Sequence, residues 1–176
     1  MQGRTSEKPA DSCVDRRTRT RDGVTVAIPG RRRPLRIDTV VIDFNGTLAV
    51  DGRLIRGVAP RLKKLAKFTA IVVMTADTFG SARRALLGLP VEVCIIRQGA
   101  DKRRFVESVG PQHVAAIGNG VNDVPMLKAA VLGIAVIGNE GASGDLLRAA
   151  TVVIRNTNLA LDLLLKPKRL TATLRR

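Results

Sequence analysis

The chain has 176 residues, 45% of them apolar, and a formal net charge of +15. This is long enough for one domain with a proper core, and no apolar run approaches the roughly 20 residues of a membrane-spanning helix. The opening Met-Gln-Gly-Arg-Thr-Ser lacks the apolar stretch of a secretory leader, and two cysteines, Cys13 and Cys94, make no disulfide framework, so a cytoplasmic protein with no membrane partner is expected. Most of the charge sits at the ends: residues 1–36 carry ten Lys and Arg against four acids, and 166–176 carry five against none. Basic arms can bind nucleic acid through its phosphates, but there is no Trp or Tyr and there are four Phe. Stacking platforms are scarce, and nucleic acid is not expected as the primary partner.

Residues 1–22 are polar and without periodicity and read as a flexible basic tail. Val24, Val26 and Ile28 alternate with polar residues as in a strand, and Leu35 to Ile37 can return beside it after Pro29-Gly30. A short apolar run over 38–43 then ends at Asp43, Asn45 and Gly46, as a buried strand does on entering a turn. Asp51-Gly52 between apolar flanks marks a hairpin, and Pro60 opens a helix over 59–67. Ala70 to Met74 reads as a strand ending at Thr75-Ala76-Asp77, followed by a helix over 78–88. Val91 to Ile96 is a strand, 101–109 a helix, and His113 to Ile117 a strand running into Gly118-Asn119-Gly120-Val121-Asn122-Asp123. A helix over 122–130, a strand over 132–137, a helix over 143–149, a strand over 151–154 and a helix over 157–165 follow. The expected domain is 23–165, with 166–176 a basic C-terminal tail. Strands alternating with helices predict an α/β fold: a Rossmann-like three-layer sandwich around a mainly parallel sheet.

In such a sheet the chemistry gathers at the C-terminal strand ends. Asp43, Thr75 and Asn119/Asp123 each follow an apolar strand, so they share one edge, with Lys102 from a nearby helix. Each has a plainer reading. Asp43 can simply begin a turn, Thr75 can cap the next helix, Lys102 can be solvated beside Arg103 and Arg104, and Asp123 can be a first-turn acid favoured by the helix dipole. His113 reads as structural. Glu140 reads as part of a Gly-rich loop, 138–144, with Ser143 as a candidate N-cap.

Together these segments resemble the haloacid dehalogenase superfamily, and within it soluble relatives of the P-type ATPase phosphorylation domain. The motif Asp-x-Asp-Gly-Thr stands here as Asp43-Phe44-Asn45-Gly46-Thr47. The second motif stands as Thr75-Ala76-Asp77, the Lys as Asp101-Lys102, and Gly-Asp-Gly-x-Asn-Asp as Gly118 to Asp123. The resemblance implies a phosphohydrolase in which Asp43 attacks a phosphoryl group, with Thr75 and Lys102 as the other catalytic residues. It implies a phosphate cradle of Phe44, Asn45, Gly46, Thr47, Thr75, Ala76 and Lys102. It implies Mg²⁺ held by Asp43, Asn45, Asn119 and Asp123, with Asn122 and Asp77 in support.

Two positions depart from the pattern. Asn45 stands where the phosphatases carry their general acid and base, and an amide cannot transfer protons in that way. Asn119 stands where a carboxylate would face the metal. The expectation is a slow hydrolase favouring anhydrides and acyl phosphates such as ATP or acetyl phosphate. The alternative is a catalytically weak binding or regulatory protein of the same fold. The spacing between motifs holds only a hairpin, helices and strands, so the domain is expected to be uncapped, acting on a phosphorylated substrate, with a homo-oligomer formed through the hairpin at 48–56.

Overall fold

The computed structural model describes residues 21–77 and 80–175. Cys13, all but two residues of the expected N-terminal tail and the first two of the helix expected at 78–88 lie outside them. Among the described residues, no helix is long and apolar enough to cross a membrane.

Strand β3, Thr39–Asp43, is central to a six-stranded sheet, with β6, Ala70–Thr75, on one side and β8, Val114–Gly118, on the other. Beyond β6 lies β7, Glu92–Ile95; beyond β8 lie β9, Leu132–Val136, and β10, Val152–Ile154. Every pairing in this sheet is parallel. Parallel strands are covered on both faces, which is why they read as apolar runs rather than as alternation. Val40 and Ile42 enter one core with Leu62, Leu65, Leu161 and Leu164, while Val41 enters the other with Phe105, Val106, Met126 and Leu146.

The first core lies under α1 (Val58–Leu65) and α6 (Thr157–Leu165). The second lies under α3 (Gly99–Ser108), α4 (Val124–Ala129) and α5 (Gly144–Ala149). Helix α2, Ser81–Ala85, is shorter than the pattern suggested, because Leu86 already departs from helical geometry ahead of Gly88 at φ +74°. The expected hairpins are present: β1 (Val24–Val26) with β2 (Leu35–Ile37), and β4 (Ala49–Val50) with β5 (Arg53–Leu54). Asp51 and Gly52, at φ +50° and +71°, make the second turn, the two left-handed positions that a tight hairpin of this twist requires.

The stretch 166–176, expected as a tail, holds a helix: α7 spans Pro167–Leu174. Pro167 occupies the first turn, where its missing N–H is harmless. Leu170 is fully buried, and the Thr171 hydroxyl donates to the Ala27 carbonyl at 2.7 Å, which fastens α7 beside β1.

From β3 the chain moves outward to β6 and β7, then returns to β8 and continues the other way. The reversal falls between β3 and β8, and it opens a crevice at their C-terminal ends.

Candidate active site

Asp43 is the last residue of β3, and Met74 lies opposite it on β6. Thr75 therefore sits one step further on the neighbouring strand, and Gly118 ends β8 on the other side. The loop after Asp43 is drawn tight by one acceptor. The Phe44 carbonyl takes N–H bonds from Leu48 and Ala49, each at 2.9 Å, and from Thr47 at 3.3 Å. Phe44 is buried, while Asn45 is exposed.

Gly46 has φ +74°, and a Cβ added there would lie 2.3 Å from Nδ2 of Asn119 and 2.8 Å from Oε2 of Glu140. Only glycine fits, on both counts. The same numbers bring the Glu140 carboxylate to the rim of the crevice. In the sequence Glu140 reads only as part of a Gly-rich loop, although that loop follows β9 on the same sheet edge as Asp43.

Lys102 reaches the centre from the first turn of α3. Asp101 shapes that turn: its Oδ2 accepts from the backbone of Arg97 and Gln98 at 3.0 and 3.1 Å, and it also pairs with Arg104. These bonds hold the Asp101 carboxyl below the usual range, the Arg104 hydrogen bond foremost. The acid beside Lys102 therefore serves the helix. Gly99 lets α3 approach the β8 loop, since a Cβ there would sit 2.6 Å from the Asn122 carbonyl oxygen.

The Lys102 ammonium, with its side chain 3% exposed, lies 2.5 Å from Oδ1 of Asp43 and 2.6 Å from Oδ1 of Asp123. A solvated helix lysine is thus ruled out. Burial works against its charge, but the two carboxylates outweigh that and hold its pKa above the ordinary lysine value. Asp43 is displaced too. Burial, then the Asp123 charge, push it up to about 6 in spite of Lys102.

Asp123 is fixed from both sides. Its second oxygen accepts from the backbone N–H of Asn119 and Gly120, each at 3.0 Å. It does act as a first-turn acid, and it faces Lys102 as well. Asn119 accepts from the Thr47 hydroxyl at 3.2 Å and donates through Nδ2 to the Gly141 carbonyl at 3.4 Å. Thr47 is fully buried beneath the loop, and its carbonyl accepts from the Thr157 hydroxyl at the start of α6.

The Thr75 oxygen accepts from the Asp77 N–H at 3.3 Å, and Oδ2 of Asp77 accepts from Ala82 N–H at 2.7 Å in the first turn of α2. The helix-capping task considered for Thr75 belongs to Asp77. Ala76 and Asn122 are exposed. Ser143 caps α5 through the Leu146 N–H at 3.1 Å, as its place in the sequence suggested. Nδ1 of His113 lies 3.1 Å from the Arg36 carbonyl, at the other end of the sheet.

A parallel sheet that reverses its strand order at a crevice holding two carboxylates and a buried lysine is the place where α/β folds gather their chemistry. Residues 76–160 match the haloacid dehalogenase-like hydrolase family. An uncharacterized protein of Methanocaldococcus jannaschii is 52% identical over 62 residues, which are 35% of this chain and 67% of that one. The fold is similar to that of a 3-deoxy-D-manno-octulosonate 8-phosphate phosphatase from Moraxella catarrhalis, solved with magnesium, phosphate and its sugar, at TM-score 0.60 and 15% identity over 78% of this chain and 90% of that one. It is similar to part of a zinc-transporting P-type ATPase, at TM-score 0.57 and 27% identity over 68% of this chain and 20% of that one. The fold is that of the haloacid dehalogenase-like structures, and the family match over residues 76–160 supports a hydrolase of that type.

Proposed function

We propose that the protein is a Mg²⁺-dependent phosphohydrolase that works through a phosphoaspartyl intermediate on Asp43. The observation that carries the reading is Lys102, buried and held between Asp43 and Asp123 at 2.5 and 2.6 Å. A buried ammonium between two carboxylates is costly to build for stability alone, and it suits a site that receives phosphoryl charge.

In this mechanism a carboxylate oxygen of Asp43 attacks phosphorus as the bond to the leaving oxygen breaks. Water then attacks the phosphorus of the acyl phosphate, releasing phosphate and restoring the carboxylate. Lys102 holds Asp43 in line and balances the charge on the transferring group. Thr75, on the adjacent strand end, donates its hydroxyl to a phosphoryl oxygen. Backbone N–H groups of the loop after Asp43 cradle the same group.

The donors lining the crevice are hard oxygens, which fit Mg²⁺; this ion commonly takes one or two carboxylates and keeps several waters. Asp43, the Asn45 carbonyl, the Asn119 amide oxygen and Asp123 would hold it. Bound there, the ion offsets repulsion between carboxylate and phosphate. Both Asp123 oxygens also accept hydrogen bonds, so besides holding the ion it would orient Lys102 and the β8 loop.

Asn45 brings no proton to the leaving group. The absence of acid–base help costs typically about 10²–10⁴-fold, most of it on poor leaving groups. The substrates favoured are therefore anhydrides and acyl phosphates. The likeness to a P-type ATPase domain supports the same reading. A second reading, a catalytically weak binding or regulatory protein, is favoured by Asn119, whose amide is committed to Thr47 and Gly141. Phosphate release from acetyl phosphate, ATP and a sugar phosphate, with and without Mg²⁺, separates the two. Release that needs both Mg²⁺ and Asp43, compared with Asp43→Asn, is the result expected of the enzyme. Equal release by wild type and variant overturns it.

A further inference from the structure

We propose that the end of the domain opposite the crevice binds the phosphate backbone of duplex nucleic acid. The inference concerns a different surface and stands apart from the reading of the active site.

The segments that meet there are distant in sequence. The hairpin β1–β2 joins the N-terminal ends of the strands: Gly23 N–H donates to the Phe68 carbonyl at 3.0 Å, and Asp38 N–H to the His113 carbonyl at 3.1 Å. Helix α7 lies beside β1, fastened by Leu170 and by Thr171. The last turn of α1 arrives next to them, where Arg21 donates to the Ala66 carbonyl at 2.5 Å. Residues 21–38, 61–67 and 162–175 thus form one end of the molecule. They hold thirteen Lys and Arg against three acids. The remaining described residues hold eleven against nine. Among the described residues the net charge is concentrated at one end rather than spread over the surface.

Little at that end neutralises it. Among the described residues, the ion pair found there joins Arg61 to Asp162. Arg31, Arg32 and Arg33 stand exposed on the hairpin turn, with Arg36, Lys168 and Arg169 exposed behind them.

The chemistry of the surface selects the partner. A membrane-bound face pairs its cations with a continuous set of apolar side chains that enter the lipid, and among the described residues the large apolar side chains exposed near the N-terminal strand ends are Phe68, at 45%, and Leu87, at 85%, on the connection into β7. A protein partner would want an aromatic and apolar centre. Single-stranded nucleic acid would want several stacking rings. A duplex backbone asks only for cations spread over a broad surface, which is what is present. DNA and RNA share that backbone.

The test is fluorescence anisotropy of the full chain with a labelled DNA duplex and a labelled RNA duplex, from about 50 to about 200 mM salt. One variant reverses charge on the hairpin turn, Arg31→Glu/Arg32→Glu/Arg33→Glu. A control makes the same change of charge at exposed positions elsewhere, Arg53→Glu/Arg83→Glu/Lys128→Glu. Circular dichroism and thermal unfolding establish that each is folded. The expected result is binding that weakens with salt, lost by more than about tenfold in the hairpin variant, with the salt slope reduced by about two to three phosphates, and changed less than about threefold in the control. Equal losses in the two variants would mean diffuse attraction and overturn the proposal. So would the absence of binding at the lowest salt, or tighter binding to anionic phospholipid vesicles than to either duplex.

Discussion

Nζ of Lys102 lies 2.5 Å from Oδ1 of Asp43, and both groups are largely removed from water, with side chains 3% and 13% exposed. Asp123 stands on the far side of the same ammonium. Removing one partner of a buried ionic group typically costs about 3–5 kcal/mol. Lys102→Met is therefore expected to lower stability by about that amount near neutral pH. Asp43 already has a raised pKa of about 6, and the variant should push it higher. A group whose pKa is raised by folding binds its proton more readily in the folded state, so acidification relieves the loss. Urea unfolding at about pH 7 and about pH 5 measures both; a loss under about 1 kcal/mol would remove Lys102 from the centre of this site.

Asn45 is exposed at the mouth of the crevice. Asn45→Asp puts a titratable group there with almost no change in shape. Turnover of a sugar phosphate should rise by about 10²–10⁴-fold, and that of acetyl phosphate by much less, since its leaving group needs no proton. The measured quantity is the ratio of the two rates; an unchanged ratio would contradict the assignment of Asn45 to the leaving-group side.

Gly46→Ala places a methyl group 2.3 Å from Nδ2 of Asn119, at a φ of +74°. Both the strain and the displaced amide disfavour it. Stability should fall by about 1–3 kcal/mol, and phosphate release should fall with it. Gly30→Ala, also at positive φ but with nothing within 4 Å, is the comparison that separates backbone strain from the contact with Asn119.

Glu140 brings a third carboxylate to the crevice, with Oε2 2.8 Å from the position of a Cβ on Gly46. Its charge should favour a bound divalent cation by roughly 1 kcal/mol at the surface. Glu140→Gln is expected to weaken Mg²⁺ binding by about fivefold in calorimetry without substrate. An unchanged affinity would make Glu140 a bystander.

Much of this was legible in the residues. Each parallel strand is an apolar run closed by a polar or glycine-containing break, so its end could be placed to within about two residues. Asp43, Thr75 and Asp123 could be joined because sheet strand ends share an edge, and Lys102 through its place in the resembling motifs. The place of Glu140 was not legible, because no periodicity marks which loop residue turns inward over Gly46. Helix α7 was missed because its composition is that of a solvated tail. What orders it is the burial of Leu170 against a hairpin more than a hundred residues away, which no local pattern carries. The division of labour between Asp101 and Lys102 was hidden for a similar reason, since adjacent helix residues point in different directions.

Arg61 and Asp162 join α1 to α6 through two bonds, Nε to Oδ1 at 2.9 Å and Nη2 to Oδ2 at 3.2 Å. The Arg61 hydrogen bond, against the opposing effect of burial, holds the Asp162 carboxyl below its ordinary value of 3.8. Because folding lowers this pKa, the stabilisation is complete above the ordinary value and is lost as pH falls through the folded one. The pair is partly exposed, so its contribution is on the order of 0.5–1 kcal/mol. Asp162→Asn should therefore lower the thermal midpoint by a few degrees at about pH 7. At about pH 2.5, below the ordinary carboxylate value, the difference between the variant and the wild type should be smaller. A difference of the same size at both pH values would show that Asp162 acts through packing rather than through its charge.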